Sequence, residues 1–301
     1  MELRHLRFFV AVAEEGSLTM AAEKRLRTAQ PSLSRQMRDL EFEVGAQLMI
    51  RGAKGIALTA AGRAFLDHVR LALAQVEAAG TAARRAAQPA KASFSLGFLT
   101  GQEMDWLPEA VRLLRDDLPN IDVTVSSHYS PDLADGLLRG KLDLAFMRRE
   151  ENMPDLEYRL VVREPIMVVM PSDHPLAGQK AVTIKQIANE PFINMSNTAP
   201  VFRKVIADYF RQAGLEMKGD QKIDNLGMAM SLVASTRALT LLPAYAKNFL
   251  TWSVTSRPIE GGGPTIDLVI GYNKASRSSV LKQFLSKVDE LIARVAHNQD
   301  V

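Results

Sequence analysis

Polar and basic side chains recur at helical spacing near the N-terminus, at Gln30, Ser32, Ser34, Arg35 and Arg38. Glutamine and arginine pair in bidentate fashion with the edges of adenine and guanine, and serine hydroxyls suit phosphate or mixed contacts. Residues 24–38 hold five basic side chains and no acidic one. Such a local field attracts a phosphate backbone, so this segment predicts a DNA-reading helix.

Two short helices joined by a tight turn are predicted to position these side chains. Ser17 is a suitable N-cap for the first helix, and Pro31 is tolerated in the first turn of the second. Leu33, Met37 and Leu40 are spaced by four and three residues, so they share the face that packs on the first helix. The alternative is an ordinary helical pair with a solvated charged face. It would require charge asymmetry, capping and a small-residue contact to coincide by chance.

A hairpin is predicted next, over residues 48–59, with a glycine turn that holds Arg51 and Lys54. Its basic tip would reach the neighbouring minor groove or phosphates, as the wing of a DNA-binding domain does. An ordinary surface hairpin is the alternative. Residues 1–58 are therefore expected to form an all-α winged helix-turn-helix domain.

Residues 59–90 are alanine-rich and carry an apolar stripe at spacings of three and four, namely Leu66, Val69, Leu73 and Val76. This pattern is typical of a helix that pairs with another helix. A helix of nearly 30 residues spans about 45 Å at 1.5 Å per residue, too long to pack only on a domain of about 60 residues. We expect a dimerisation arm and linker. The alternative is a helix that lies along its own C-terminal domain without a partner.

Residues 91–301 alternate strand-like and helical runs, which favours an α/β fold with ligands at the carboxyl ends of strands. A middle block has strands and helices of its own, and the chain then returns to the first unit. Two lobes are expected, one over about 91–162 and 266–301, the other over about 163–265. Two lobes joined by two crossovers leave a cleft, the usual place for a small molecule.

Composition narrows the class of protein. The basic excess lies in residues 1–90, with 13 basic and 9 acidic side chains against 24 and 25 in the remainder. Zero cysteines exclude disulfides and thiolate zinc sites, and the five histidines are scattered. There is no Walker loop, Gly-x-Ser-x-Gly or His-Glu-x-x-His motif, no apolar leader and no apolar run of about 18 residues. We expect a cytoplasmic protein that is not an enzyme and holds no metal or cofactor.

Several motifs resemble the LysR-type transcriptional regulators. They are Met-Glu-Leu-Arg-His-Leu-Arg-Phe-Phe-Val-Ala-Val-Ala-Glu-Glu-Gly-Ser-Leu at 1–18, Ala-Gln-Pro-Ser-Leu-Ser-Arg-Gln-Met at 29–37 and Leu-Thr-Ala-Ala-Gly at 58–62. Gly-Lys-Leu-Asp-Leu-Ala-Phe-Met-Arg at 140–148 and Pro-Ser-Asp-His-Pro-Leu at 171–176 resemble the family's two-lobed effector domain, of the periplasmic-binding-protein type 2 fold. Within the family, the chain is most similar to regulators of aromatic-acid catabolism, such as phenylpropionate, benzoate and catechol pathways.

The resemblance implies a homotetramer, a dimer of dimers, that binds an interrupted palindrome in promoter DNA. Recruitment of RNA polymerase would change when a small organic acid of aromatic type occupies the cleft, and the resemblance does not separate activation from repression. Gln30, Pro31, Ser32, Ser34 and Arg35 would lie in the major groove, with Arg51 and Lys54 in the wing. The chain departs from the family at Ala29, usually a hydroxyl residue, and at Arg237, within a step that is usually Gly-x-Gly.

By the same resemblance the cleft would use a set of turn residues, Thr100, Gly101, Gln102, His128, Ser196, Asn197, Thr198, Phe202, Asn225 and Gly227, with Met228 as an apolar neighbour. Structural roles are the alternative: the hydroxyl residues as helix caps, the histidine as a strand end, the phenylalanine as core. Arg148 is either a counter-ion for an anionic effector or part of a surface pair with Glu150 or Glu151, and the surface pair is favoured.

Two other functions remain open at this stage. A periplasmic-type solute-binding protein would share the two-lobed fold, but the missing leader and the DNA-reading segment oppose it. A LysR-type regulator of amino-acid or aliphatic-acid metabolism would share everything except the chemistry of its effector. The identity of the effector, the operator sequence and the target genes do not follow from the residues.

Overall fold

The computed structural model describes residues 1–52, 55–87, 93–119, 121–217, 219 and 221–299. The chain forms two compact units, Met1–Ala87 and Gln88–Val301. None of the helices in the described ranges is both long and apolar enough to cross a membrane.

The N-terminal unit is a helical bundle with a small hairpin. Its elements are α1 (Leu3–Glu15), α2 (Leu18–Met20, continued by a π-helical turn over Ala21–Leu26), α3 (Gln30–Val44), the antiparallel strands β1 (Met49–Gly52) and β2 (Gly55–Leu58), and α4 (Ala60–Ala87). The Ser17 hydroxyl accepts a hydrogen bond from the Met20 N–H, as expected of an N-cap. Leu33, Met37 and Leu40 are buried, which confirms the periodicity argument for α3.

The turn between α2 and α3 uses a non-glycine residue in the left-handed region. Arg27 has a φ of 48° and ends the π-helical turn. Ala29 occupies the N-cap position of α3 and offers no side-chain hydrogen bond. The missing hydroxyl therefore leaves the start of α3 without a side-chain cap. Ala21 and Ala22 are fully buried, and their small side chains allow α2 and α3 to approach closely.

The first half of α4 packs on its own unit at three of the four residues of the predicted dimerisation stripe, and the dimerisation itself stays a prediction. Val69 is buried in the N-terminal core, and Leu66 and Leu73 pack against the same core. One turn earlier, the ring of Phe65 meets that of Phe9 edge-on at 5.2 Å between centroids. Of the four predicted residues, Val76 is the exposed one. The early turns of the stripe are thus used within the monomer, because α1 supplies the apolar surface that they cover.

The C-terminal unit is an α/β fold in the described part of the chain. Its lobe I elements are β3 (Ser93–Leu99), α5 (Glu103–Asp117), β4 (Asp122–His128), α6 (Ser130–Leu138), β5 (Leu144–Met147), β6 (Leu156–Pro171), β11 (Thr265–Asn273), α10 (Ser279–Ser286) and α11 (Val288–Gln299). Lobe II contains α7 (Ile184–Asn189), β7 (Asn194–Met195), α8 (Pro200–Gln212), β8 (Lys222–Ile223), α9 (Leu226–Thr236), β9 (Thr240–Pro243) and β10 (Val254–Pro258), with 3₁₀ turns at Pro175–Gly178 and Ala244–Phe249.

One continuous sheet links the two lobes. The strand order is β10-β6-β11-β5-β3-β4, and β9 also pairs with β6. Strands β3, β4 and β5 run parallel, whereas β6 and β11 are antiparallel to their neighbours. The long strand β6 pairs with β11 through its first part and with β9 and β10 through its second. The chain therefore passes from lobe I to lobe II within strand β6 and not in a loop.

Each lobe has a hydrophobic core of its own. In lobe I, the rings of Phe98 and Phe146 stack at 4.9 Å between centroids, and Trp106 stacks on Phe146 at 5.7 Å. In lobe II, Phe192 and Phe210 meet edge-on at 5.6 Å within a separate buried cluster. Two cores under one bridging sheet confirm the two-lobed α/β fold expected from the sequence.

Gly62 is required where α4 begins. A Cβ at Gly62 would lie 2.0 Å from the Leu48 carbonyl oxygen, and the Gly62 N–H donates to the Thr59 hydroxyl at 2.9 Å. We expect Gly62→Ala to lower the free energy of unfolding by about 1–3 kcal/mol or more, because backbone must move to admit the methyl group. Urea denaturation followed by circular dichroism measures the change.

Gly80 on the same helix is the matched control. The nearest atom to a Cβ there belongs to the flexible side chain of Arg84, at 3.4 Å. Gly80→Ala should leave stability unchanged or raise it by about 0.5–1 kcal/mol, the helix preference of alanine over glycine. Equal effects of the two substitutions would show that the contact with Leu48 does not constrain α4.

Candidate functional site

The outer face of α3 presents the residues predicted to read DNA. Pro31, Ser32, Arg35 and Arg38 are exposed, and Gln30 is half-buried. Ser32 accepts a hydrogen bond from Gln36 at 3.2 Å, and Arg35 lies 4.0 Å from Asp39 one turn along the helix. Ser34 is half-buried at the margin of this face. Both arginines are thus exposed on one helix face, where their side chains can reach base edges or phosphates.

The positive field around α3 is weaker than the sequence count suggested. Arg25 forms ion pairs with Glu14 and Glu15 of α1, and Glu14 also pairs with Arg70 of α4 at 2.9 Å. The positive charge of Arg25 is therefore compensated within the N-terminal unit. The acidic partners of Arg25 lie in α1, outside the sequence window of residues 24–38, so a count over that window did not include them.

The predicted wing is present as the β1–β2 hairpin, with Gly52 opposite Gly55 across the turn. Lys54 lies outside the described residues, and of Arg51 only the backbone is described, in β1. The assignment of these two side chains to DNA therefore stays a prediction.

In the C-terminal unit, a partly open cavity lies between the lobes. Most of its wall is apolar, with a few polar groups at one end. The lining residues are Leu99, Thr100, Tyr129, Ser130, Arg148 and Glu150 from lobe I and Met195, Ala199, Pro200, Val201, Phe202, Leu226, Leu242, Pro243 and Tyr245 from lobe II. Of the predicted effector residues, Thr100 and Phe202 line it.

The polar end of the cavity contains a buried ion pair. Arg148 and Glu164 are 4% and 7% exposed, and their side chains meet at 2.6 Å between Nη2 and Oε2. Gln102 is fully buried and donates to the other oxygen of Glu164 at 2.8 Å. The expectation of a surface pair between Arg148 and Glu150 or Glu151 is wrong, since the partner comes from the middle of β6.

The guanidinium of Arg148 is not fully satisfied. The contact with Glu164 is not aligned as a hydrogen bond, and neither terminal nitrogen has a hydrogen-bond partner among the described residues. The guanidinium carbon lies 5.9 Å from the ring centroid of Tyr245, and burial raises the pKa of the Tyr245 hydroxyl. A cation at the wall of an apolar cavity with unused donors suits an anionic ligand.

The loop after β3 does not offer the free backbone donors that a carboxylate would need. Gly101 adopts a φ of 96°, and its N–H donates to the Glu103 carboxylate at 2.7 Å. A Cβ at Gly101 would lie 2.6 Å from the ring of Tyr245, so this glycine is a packing requirement. Gln102 is turned into the interior, toward Glu164. Both expected effector contacts are corrected in this way.

The hydroxyl cluster before α8 bonds to itself. Ser196 and Thr198 hydroxyls are 2.9 Å apart, and the Thr198 N–H donates to Ser196. Asn197 accepts a hydrogen bond from Arg203. None of these three residues lines the described cavity, whereas the flanking Met195 and Ala199 do. Their expected role as ligand donors is therefore replaced by a local turn role.

The other predicted cleft residues also lie elsewhere. The exposed side chain of His128, at the end of β4, faces a separate groove along this edge strand. Asn225 caps α9 by accepting from the Met228 N–H at 2.9 Å, next to exposed Gly227. Met228 itself is 42% exposed, and Leu226 takes its expected place in the cavity wall.

Arg237 lies where the resemblance led us to expect a glycine step. It ends α9 in the left-handed region with a φ of 59°, and its guanidinium pairs with Asp173 at 2.9 Å. Arg237 is exposed and does not line the cavity. The departure therefore alters the end of α9 and leaves the cavity wall to other residues.

Several polar contacts cross from one lobe to the other. The Tyr129 hydroxyl donates to the Asp224 carbonyl, and Tyr245 donates to the Thr100 carbonyl at 3.3 Å. Asn248 donates to Asp105 at 2.8 Å, and Lys204 pairs with Glu151 at 2.5 Å. Burial raises the pKa of Asp105, against the hydrogen bond from Asn248. These contacts join the lobes around the cavity.

No group of three or more possible metal ligands occurs in the ranges that the structure describes. Charged groups at the cavity wall are instead the guanidinium of Arg148 and the carboxylate of Glu150.

Comparison with known families identifies both units. Residues 3–63 match the family described as "Bacterial regulatory helix-turn-helix protein, lysR family", and residues 87–292 match "LysR substrate binding domain". The chain belongs to the LysR family. It is therefore a DNA-binding transcriptional regulator of the ligand-responsive kind, with an N-terminal helix-turn-helix domain and a two-lobed substrate-binding domain.

Individual LysR proteins match along nearly their whole length. The chain is 37% identical to the Hca operon transcriptional activator HcaR of Escherichia coli strain K12 over 299 residues, which are 98% of this chain and 99% of HcaR. A solved structure of full-length BenM has a TM-score of 0.60 and 28% identity, covering 98% of this chain and 97% of that one. CbnR, solved full-length in a complex with target DNA, has a TM-score of 0.58 and 25% identity, covering 97% and 100%.

Sequence reasoning missed several cavity residues of this LysR regulator. Tyr129, Leu226 and Tyr245 line the cavity but stood out by no motif. Glu164 did carry a signal, because it is an acidic residue in the middle of a long strand whose second half is apolar. A buried acid in such a strand needs a nearby cation, and Arg148, which directly follows β5, was available.

The exposed position of Arg35 on α3 predicts a role in reading bases. We expect Arg35→Ala to weaken binding to the DNA upstream of its own gene by about 1–3 kcal/mol and to weaken binding to random DNA less. Fluorescence anisotropy at one fixed salt concentration measures both affinities.

Arg115→Ala provides the matched control, since it makes the same charge change at an exposed position of the C-terminal unit. It should change neither affinity appreciably. Equal losses on the two DNAs with Arg35→Ala would assign Arg35 to a phosphate, and no loss on either would remove it from the interface.

Proposed function

We propose that this LysR regulator binds a small organic acid of aromatic type in the cavity between its lobes and that this binding changes transcription. The observation that carries the proposal is Arg148, a buried guanidinium with unused donors at the wall of an apolar cavity. A buried charge of this kind is stabilised by an anion that brings its own hydrogen-bond acceptors. The effector is therefore expected to present a carboxylate to Arg148.

The rest of the cavity supports an apolar body for this ligand. Side chains such as Phe202, Leu226 and Leu242 form walls from lobe II, and Leu99 adds apolar surface from lobe I. Binding sites for small organic molecules are mostly apolar and use few polar groups to fix orientation. An aromatic ring fills such a space with little loss of conformational entropy, so an aryl acid fits better than a flexible aliphatic one.

The DNA side of the proposal follows from α3 and from the family. We propose that α3 reads the major groove, that the operator is an interrupted palindrome, and that ligand binding alters recruitment of RNA polymerase at the promoter. Such a protein acts in the cytoplasm, requires no cofactor and performs no catalysis. The helix-turn-helix unit distinguishes it from a solute-binding protein with the same two-lobed fold.

A thermal-shift screen of aromatic and aliphatic acids tests the ligand class. A ligand at 100 times its dissociation constant stabilises the folded protein by about 2.7 kcal/mol. Stabilisation by aryl acids supports the proposal, and stabilisation by aliphatic acids alone would assign the regulator to non-aromatic metabolism. If acids of neither type stabilise the protein, the acid-binding function is wrong.

The role of Arg148 is tested by the double variant Arg148→Met with Glu164→Gln. Removing both charges avoids the buried, unpaired Glu164 that Arg148→Met alone would leave. The best acid from the screen should bind about 1.5–3 kcal/mol more weakly, because a charge-assisted hydrogen bond is lost. Isothermal titration calorimetry measures this, with the thermal unfolding of the variant as a check on folding.

Binding of DNA without the acid should persist in this double variant, since the changes lie in the C-terminal unit. Unchanged affinity for the acid would show that its carboxylate does not contact Arg148.

We also propose that the chain assembles as a dimer of dimers through α4. Since Val69, Leu66 and Leu73 serve their own unit, the exposed Val76 is the better test of assembly. Val76→Asp would place an unpaired charge in the helix pair, so dimers should dissociate and affinity for a two-half-site operator should collapse. Light scattering and anisotropy measure the two effects.

Gln75→Asp is the control, an exposed neighbour on the same helix but off the apolar stripe. It should retain the wild-type mass. A Val76→Asp variant that keeps the wild-type mass would exclude this turn of α4 from the assembly interface.

A further inference from the structure

Glu150 is the second charged residue at the cavity wall, and the proposed contact of a ligand with Arg148 gives Glu150 no role. It follows β5 and lines the cavity, and its Oε1 atom is buried without a hydrogen-bond partner in the described part of the chain. Burial raises the pKa of its carboxyl group, and the neighbouring Glu151 raises it further. A buried acceptor of this kind needs a donor that the cavity contents can supply.

The nearby cations are engaged with other groups. Arg148 meets Glu164, and the guanidinium of Arg149 lies over the ring of Tyr158, 5.6 Å from its centroid. Lys204 pairs with Glu151. Across the described residues, no ion pair includes Glu150. The Glu150 side chain is half-buried, and it therefore lies at the cavity wall without an ion-pair partner in the described part of the chain.

We propose that Glu150 selects the class of ligand: the cavity takes a monocarboxylate that carries a hydrogen-bond donor, such as a hydroxyl group, and it rejects a dicarboxylate. This inference rests on the proposed binding of an acid at Arg148. The donor satisfies the buried oxygen of Glu150 while the ligand carboxylate meets the guanidinium.

A second carboxylate on the ligand meets an unfavourable environment. Two carboxyl groups that share a buried site cannot both be ionised cheaply, because like charges interact strongly where water is excluded. The cavity offers one guanidinium, and Glu164 already competes for it. A dicarboxylate must therefore take up a proton or leave one charge beside Glu150, and both cost binding free energy.

Ligands on one scaffold test this selectivity in the full-length protein. The probes are 3-phenylpropanoate, its 3- and 4-hydroxyphenyl counterparts, and its 3- and 4-carboxyphenyl counterparts, measured by isothermal titration calorimetry. Benzoate, the hydroxybenzoates and the benzenedicarboxylates repeat the comparison on a shorter scaffold. We expect the better hydroxy acid to bind roughly fivefold to tenfold more tightly than the plain acid, as a net hydrogen bond of about 1 kcal/mol implies. The dicarboxylates should bind at least about tenfold more weakly than the plain acid.

Glu150→Gln tests whether Glu150 is the cause, since it keeps the shape of the side chain and removes its charge. The penalty against dicarboxylates should fall to within about threefold of the plain acid. Glu216→Gln is the matched control, because it makes the same charge change at an exposed position of the C-terminal unit that does not line the cavity. It should retain the wild-type selectivity.

The outcomes separate this inference from the proposed function. If the plain acids bind wild type but the hydroxy acids and dicarboxylates bind equally well, Glu150 is not a selector, although the acid-binding function stands. The inference is also overturned if Glu150→Gln, folded by its thermal transition, keeps the wild-type selectivity. If no acid binds wild type at all, the proposed function itself fails and Glu150 has no ligand to select.

Discussion

The buried contact between Arg148 and Glu164 is the constraint around which the C-terminal unit is arranged. Arg148 directly follows β5, Glu164 lies within β6, and Gln102 reaches the same carboxylate from the loop before α5. Burying two charges costs several kcal/mol per ion unless they are paired and hydrogen-bonded, so these three segments are held at one place. The backbone N–H of Arg148 also donates to the Ser130 hydroxyl at the start of α6. A cavity wall built on this network is polarised and ordered before any ligand enters.

The parts of the fold that follow from local periodicity were predictable. The buried face of α3, the Ser17 cap and the hairpin after α3 each depend on residues within a few positions of one another. The two-lobed α/β fold followed from alternating elements and from motifs of the family. The stripe on α4 was also real as a pattern. Its partner stays a prediction beyond the early turns, because periodicity shows that a face is covered and does not show whether α1 or a second chain covers it.

The candidate site was less predictable because its contacts join distant positions. Glu164 is 16 residues from Arg148 and Gln102 is 62 residues from Glu164, so spacing along the chain gave no pairing. The hydroxyl groups of Ser196 and Thr198 suggested ligand donors, but short polar side chains in a turn often satisfy their neighbours, and here they bond to each other. Thr100 and Phe202, which were expected at the cleft from the resemblance to the family, do line the cavity, and their contact with an effector stays a prediction.

The same network suggests how a ligand at the cavity is linked to the arrangement of the lobes. The contacts that join the lobes, such as Asn248 with Asp105 and Lys204 with Glu151, are polar and partly or fully exposed, so each contributes little. A ligand can shift such an equilibrium only through a difference in its affinity for the two arrangements. An acid at Arg148 supplies that difference, because it shares the guanidinium with Glu164 of β6. Strand β6 pairs with β11 in one lobe and with β9 and β10 in the other. A change in the ion pair of Glu164 therefore acts on a strand that belongs to both lobes.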